Sequence, residues 1–221
     1  MNKNLLLATA VLIVSATHTV QLQATDFSKP TWTLSEEKNN VTVYTRGIAG
    51  NENGRAIKAV TYVEQSPASV LALVVDYPAA PRWRRQIKSM EKIKVIDENS
   101  WYIRTVSDLP WPLSDRVSTL KCHVEKFPET QTIAYRFNTA PEMMSQDEMG
   151  GESIEGVYEF AAMADGSTRV TFEMFIVSPM KVPDWLIKAM MGASFIDQMV
   201  LLRKVVAEPE YAKVGMASFG S

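Results

Sequence analysis

From Asn40 to Val177 apolar and polar positions alternate, the period of strands with one buried face. VTVYTR (41–46) and RAIKAVTYVE (55–64) read as a hairpin around the polar, glycine-rich GIAGNENG. SPASVLALVVDY (66–77) breaks the alternation and predicts a helix, with Ser66 as N-cap, Pro67 at the first helical position and Pro78 as a stop. Strands resume at 92–96, 100–107, 115–127, 132–139, 151–163 and 167–178, the last two joined by ADG, a tight hairpin signal. The spacing then changes to three and four over 184–206, where Ile187, Met191, Phe195, Met199, Leu202 and Val206 form one stripe. Pro183 fits that helix's first turn, and Pro209 lies just past its end.

A strongly twisted antiparallel sheet of this size has one face to cover, and the last helix, apolar along most of its length, is the natural cover. The predicted class is α+β: a curved antiparallel sheet wrapped around a long C-terminal helix.

Composition narrows the function. The 221 residues are 46% hydrophobic, enough for one core, and the formal net charge of −2 draws in no nucleic acid by bulk electrostatics. At the N-terminus, MNKN precedes the apolar run LLLATAVLIVSA, the layout of a secretory signal peptide and too short for a bilayer span of about 20 residues. Cleavage after Ala16 or Ala24 fits; Ala24 is preferred because TDFSKP makes a clean mature start. The expected organisation is a signal peptide over 1–24 and a single domain over 25–221, in a periplasmic or secreted protein.

Enzyme signals are sparse. Cys122 is the one cysteine, so no internal disulfide forms, and its strand position suits a small buried hydrophobe. His123 beside it is the one histidine once the leader is gone, but strand neighbours point to opposite faces and make no dyad. One His and one Cys do not build an ordinary zinc site. Glu155 and Glu159 would lie about 13 Å apart along a strand, too far for a glycosidase pair. No phosphate loop, nucleophile elbow or dinucleotide fingerprint is visible. The expectation is no catalytic residue, no metal and no cofactor.

DYPAAPRW, then LPWPLSDRV after a strand pair, then FIVSPMKVPDWLIK, carry a family resemblance. The chain resembles the START (steroidogenic acute regulatory protein-related lipid transfer) family over residues 32–206. One departure is that the acid precedes Arg116, as Asp115, where many members carry it after. The resemblance implies a helix-grip fold, an internal apolar tunnel for one lipid between sheet and last helix, and an Ω-loop lid, here residues 139–152. Its members generally carry lipids rather than convert them.

In a strand opening near Arg116, residues Arg116, Ser118, Leu120, Cys122 and Val124 share a face. The other face holds Val117, Thr119, Lys121 and His123, the more strongly hydrated set, which places Arg116 inward. An inward arginine needs an acid partner; the alternative is a surface pair with Asp115 or Asp108. Pro110 and Pro112 make the preceding turn rigid around Trp111. The candidate ligand-binding set is Arg116, Arg104, Leu120, Cys122 and Tyr135, with Met143 and Met144 from the lid and Met191, Phe195 and Met199 from the last helix. Flexible thioethers suit a surface that repacks around apolar ligands. Arg82, Arg84, Arg85 and Lys88 around Trp83 read either as a contact for anionic head groups or as a solvated helix end.

The expected function is binding and transfer of one hydrophobic lipid, whether sterol- or hopanoid-like, fatty acyl or phospholipid. Two alternatives stay open. One is a cyclase- or hydratase-like enzyme of the same superfamily, acting on an aromatic or polyketide substrate through Arg116 with Arg104, Tyr135 or Glu159. The other is a lipid-sensing interaction module. Expected partners are a hydrophobic small molecule or lipid and, transiently, a membrane surface; the protein is expected to be a monomer that binds no nucleic acid.

Overall fold

The alternating runs pair edge to edge in a computed structural model, which describes residues 31–48, 50–108, 114–145, 148, 153–177, 193–212 and 214. Among them, nine strands form one antiparallel sheet: β1 Thr33–Lys38, β2 Val41–Ile48, β3 Asn51–Val63, β4 Ile87–Val95, β5 Ser100–Ser107, β6 Arg116–Phe127, β7 Thr132–Thr139, β8 Ser153–Ala162 and β9 Thr168–Val177. The spatial order is β1-β2-β3-β9-β8-β7-β6-β5-β4. Strands β4 to β9 are a meander, and β3 docks along the whole of β9, from Gly54 opposite Val177 to Val63 opposite Thr168.

β1 is an addition to the sequence reading. TLSEEK is exposed on both faces, so no alternation marks it. Its signal is the turn: Asn39 and Asn40 sit at φ 54° and 58°, the left-handed pair that a two-residue hairpin needs and that asparagine tolerates. β4 also starts earlier than the KIKVI run, at Ile87, because irregularities between Ile87 and Ser89 and between Lys92 and Lys94 break its alternation.

Helix α1, Pro67–Val75, interrupts the strands between β3 and β4. The Ser66 hydroxyl accepts the Ser69 N–H at 3.1 Å, and Pro67 occupies the first turn. A 3-10 turn through Tyr77–Ala79 leads into the short α2, Ala80–Trp83. The stop at Pro78 is thus a change of helix type. Helix α3, Ala193–Val206, is followed by α4, Pro209–Ala212. The stripe on α3 is as expected: Phe195, Met199, Leu202 and Val206 are all buried. α3 lies on β2 and β3 and against α1 and α2, while α1 also covers β7 and β8. One face of the sheet is therefore the core, and the fold is a curved antiparallel sheet gripping its C-terminal helix. No helix among the described residues is long and apolar enough to cross a membrane.

Several expectations fall outside the described residues: the signal peptide, Trp111 with its two prolines, Met191 and the rest of residues 184–192 of the last helix.

Candidate ligand-binding site

Register decides which candidates meet. Trp101 sits opposite Cys122 and Ile103 opposite Leu120, while Val124 faces Tyr135. Trp101, Ile103, Leu120, Cys122, Val124 and Tyr135 are all buried on the helix-facing side. Phe195 of α3 stacks on Phe172 at 5.5 Å, Phe172 meets Tyr158 at 4.5 Å, and Tyr158 meets Tyr135 at 6.4 Å. Tyr135 in turn stacks on Trp101 at 6.4 Å. Leu120, Cys122, Tyr135, Phe195 and Met199 thus share one apolar interior with a continuous aromatic wall.

Arg116 opens β6 on the same side of the strand and is half-buried. The acids expected beside it are engaged elsewhere: Lys88 holds Asp108 at 3.2 Å and Asp115 at 2.7 Å. Among the described residues no acid pairs with Arg116.

Arg104 lies elsewhere. Arg104 lies opposite Thr119, between the inward Ile103 and Thr105, so strand alternation turns it to the outer face. There it meets Glu148 at 3.4 Å. The described part of the expected lid is fastened to that same outer face. Glu148 accepts from the Thr119 hydroxyl at 3.0 Å, and Glu142 accepts from the Tyr102 hydroxyl at 2.9 Å. Met143 and Met144, half-buried, lie between these two fastenings along the chain. Glu159, named for the enzyme alternative, is also outward and pairs with Arg169 at 3.9 Å.

The interior carries a polar chain that the sequence did not reveal. The Trp101 indole N–H donates to the Tyr77 hydroxyl. Tyr77 and Tyr135 share a hydrogen bond of 3.2 Å, and Tyr135 donates to the Cys122 sulfur at 3.0 Å. Burial raises the pKa of both tyrosines well above the ordinary phenol value and pushes the Cys122 thiol up to about 11. All three are neutral near pH 7, whereas a reactive thiol is recognised by the opposite shift.

Two outcomes follow for Cys122. At pH 8 a thiol reagent should label the native protein about a hundredfold more slowly than the urea-unfolded chain, because the thiolate is the reacting form. Equal rates would mean that Cys122 opens freely to solvent. The unfolded thiol also loses its proton first. Its contribution to stability is therefore complete below the ordinary thiol value of 9.0 and is lost as pH climbs toward 11.

Arg84 is the other surprise. Its backbone is pinned at both ends, N–H to the Ala80 carbonyl at 2.8 Å and carbonyl to the Ile87 N–H at 2.9 Å. The guanidinium lies 4.3 Å from the Trp83 ring centre and 5.3 Å from that of Tyr158. It belongs to the aromatic wall, not to a solvated helix end. Tyr158 is completed on another side by Gln198 of α3, which donates to its hydroxyl at 3.0 Å. A separate cleft of about 650 Å³, between Tyr62, Gln65, Asp165, Val200, Arg203 and Lys204, touches none of the candidate residues. Among the described residues no group of three or more His, Cys, Asp or Glu could hold a metal.

The fold that carries these residues has counterparts. The sequence profile of the START domain matches residues 13–120. Over that stretch the chain is similar to the START family. The structure is similar to that of a STAR-related lipid transfer protein from Xanthomonas axonopodis, at 21% identity and TM-score 0.69 over 80% of this chain and 99% of that one. It is also similar to human StAR-related lipid transfer protein 5, at 16% identity and TM-score 0.69 over 79% of this chain and 86% of that one. At such identities the likeness is one of fold. No curated protein matches the sequence.

Proposed function

We propose that this protein binds one hydrophobic, lipid-like molecule between the helix-facing side of its sheet and α3, and carries it through water without altering it. The observation that carries the reading is the interior itself. A wall of Phe195, Phe172, Tyr158, Tyr135 and Trp101 encloses polar groups that burial keeps neutral. Such a surface offers desolvation rather than acid–base chemistry. Each ligand CH₂ taken out of water contributes about 0.8 kcal/mol, so a long chain or fused-ring skeleton binds with few polar contacts. The names of the Xanthomonas and human proteins, both lipid transfer proteins, support the same reading. Sterol- or hopanoid-like, fatty acyl and phospholipid cargo all fit a site of this kind.

Export is part of the proposal: residues 1–24 act as a signal peptide, and the carrier works in a periplasmic or external space. Protein recovered from that space should begin at Thr25.

The test of cargo is direct. Organic extraction of the purified protein, read by mass spectrometry, is expected to release a stoichiometric lipid, and the stripped protein should take up lipid from vesicles. A protein that yields none and takes up none is not a carrier.

A further inference from the structure

Resting on that binding reading, we propose that Arg84 is the anchor for the head group of the ligand, and that the ligand is an amphiphile ending in a carboxylate. The sequence pattern pointed to Arg116; the geometry points to Arg84.

The argument begins with its donors. Nη1 of Arg84 lies 3.8 Å from the Met90 sulfur, a weak acceptor. Nε and Nη2 are buried and have no hydrogen-bond partner. Those two nitrogens form one edge of the planar guanidinium, the edge that grips a carboxylate with two parallel hydrogen bonds. Trp83 and Tyr158 pack against the group as cation–π partners. Such partners engage the π system and leave the in-plane edge free. No acid among the described residues pairs with it, and a guanidinium does not escape burial by losing its proton.

The unmet groups around it point the same way. The Trp83 indole N–H is buried without a partner, and so is the Thr105 hydroxyl. Thr105 sits opposite Met90 in the β4–β5 register, and Met90 is the residue that Nη1 touches. Indole and guanidinium only donate, and the hydroxyl can donate. A group rich in acceptors completes them. Buried donors without acceptors are rare in folded proteins because their desolvation is not offset. The apolar wall leading from this point through Tyr158 to Phe172 and Phe195 supplies the place for a hydrocarbon tail.

The test compares oleate with oleyl alcohol, which share a chain and differ in charge at one end. Delipidated wild-type protein is expected to bind oleate at least about tenfold more tightly, measured by calorimetry at fixed salt. In Arg84→Leu the ratio should fall to near one, with the loss on the oleate side and oleyl alcohol binding retained. Arg84→Lys, which keeps the charge but not the two-pronged edge, should recover only part of it. Equal wild-type affinities overturn the assignment without recourse to any variant, and so does a preference that survives Arg84→Leu. In both cases the carrier reading stands. Failure of wild type to bind either molecule overturns the Arg84 assignment, and the extraction and vesicle-uptake test then decides the carrier reading separately.

Discussion

Replacing Trp83 with alanine is expected to destabilise the protein by about 3–5 kcal/mol, the usual cost of emptying a large aromatic site in a core. Trp83 has no solvent exposure. It ends α2, meets Tyr158 edge-on at 6.3 Å and lies under the Arg84 guanidinium. A domain holds about 5–15 kcal/mol in all, so this one change removes a large share and should lower the yield of folded protein. Trp83→Phe should cost less than half as much. It keeps most of the ring and removes the indole N–H, which has no protein partner to lose. Urea denaturation of both variants checks this. A loss under 1.5 kcal/mol for the alanine variant, on the scale of ordinary substitutions, would show that the site collapses and that Trp83 does not hold α2 to the sheet.

That position also shows how far the sequence could be read. Alternation placed strands from Val41 to Val177, and the three-to-four spacing placed α3, because both record which side of an element is buried. β1 escaped because an edge strand exposed on both faces leaves no such record. At the site, parity along β6 put Leu120 and Cys122 inside, and parity along β5 also contained the answer for Arg104. With Trp101 and Ile103 inward, residue 104 must face out. Tyr77 and Arg84 were not legible in this way. Both lie where α1 gives way to a 3-10 turn and a single turn of helix. There no period persists long enough to predict a direction, and only backbone geometry fixes where the side chains point. The cluster PRWRR therefore read as surface charge, although its Trp83 and Arg84 belong to the interior and its Arg82 pairs with Glu208 outside.

The Gly156→Ala substitution separates packing from propensity, since it adds one methyl group to a strand and alanine loses less backbone freedom than glycine on folding. Gly156 lies in β8 opposite Phe137 on one side and Met174 on the other. A Cβ there would come within 2.4 Å of Phe137 Cζ and 2.8 Å of the Glu173 carbonyl oxygen. The carbonyl belongs to the backbone of β9 and cannot swing aside. The Phe137 ring is held against Phe172 at 6.4 Å and Tyr135 at 6.1 Å, so it moves only by disturbing the aromatic wall. The expected cost is about 3 kcal/mol, the upper end for an overpacked core. Phe137→Leu in the same chain should recover part of it, with a coupling of about 1 kcal/mol in a double-mutant cycle. Recovery stays incomplete because the Glu173 carbonyl remains. Strict additivity would place the strain entirely on the backbone contact. A neutral Gly156→Ala would mean that β8 and its neighbours separate more readily than the register implies.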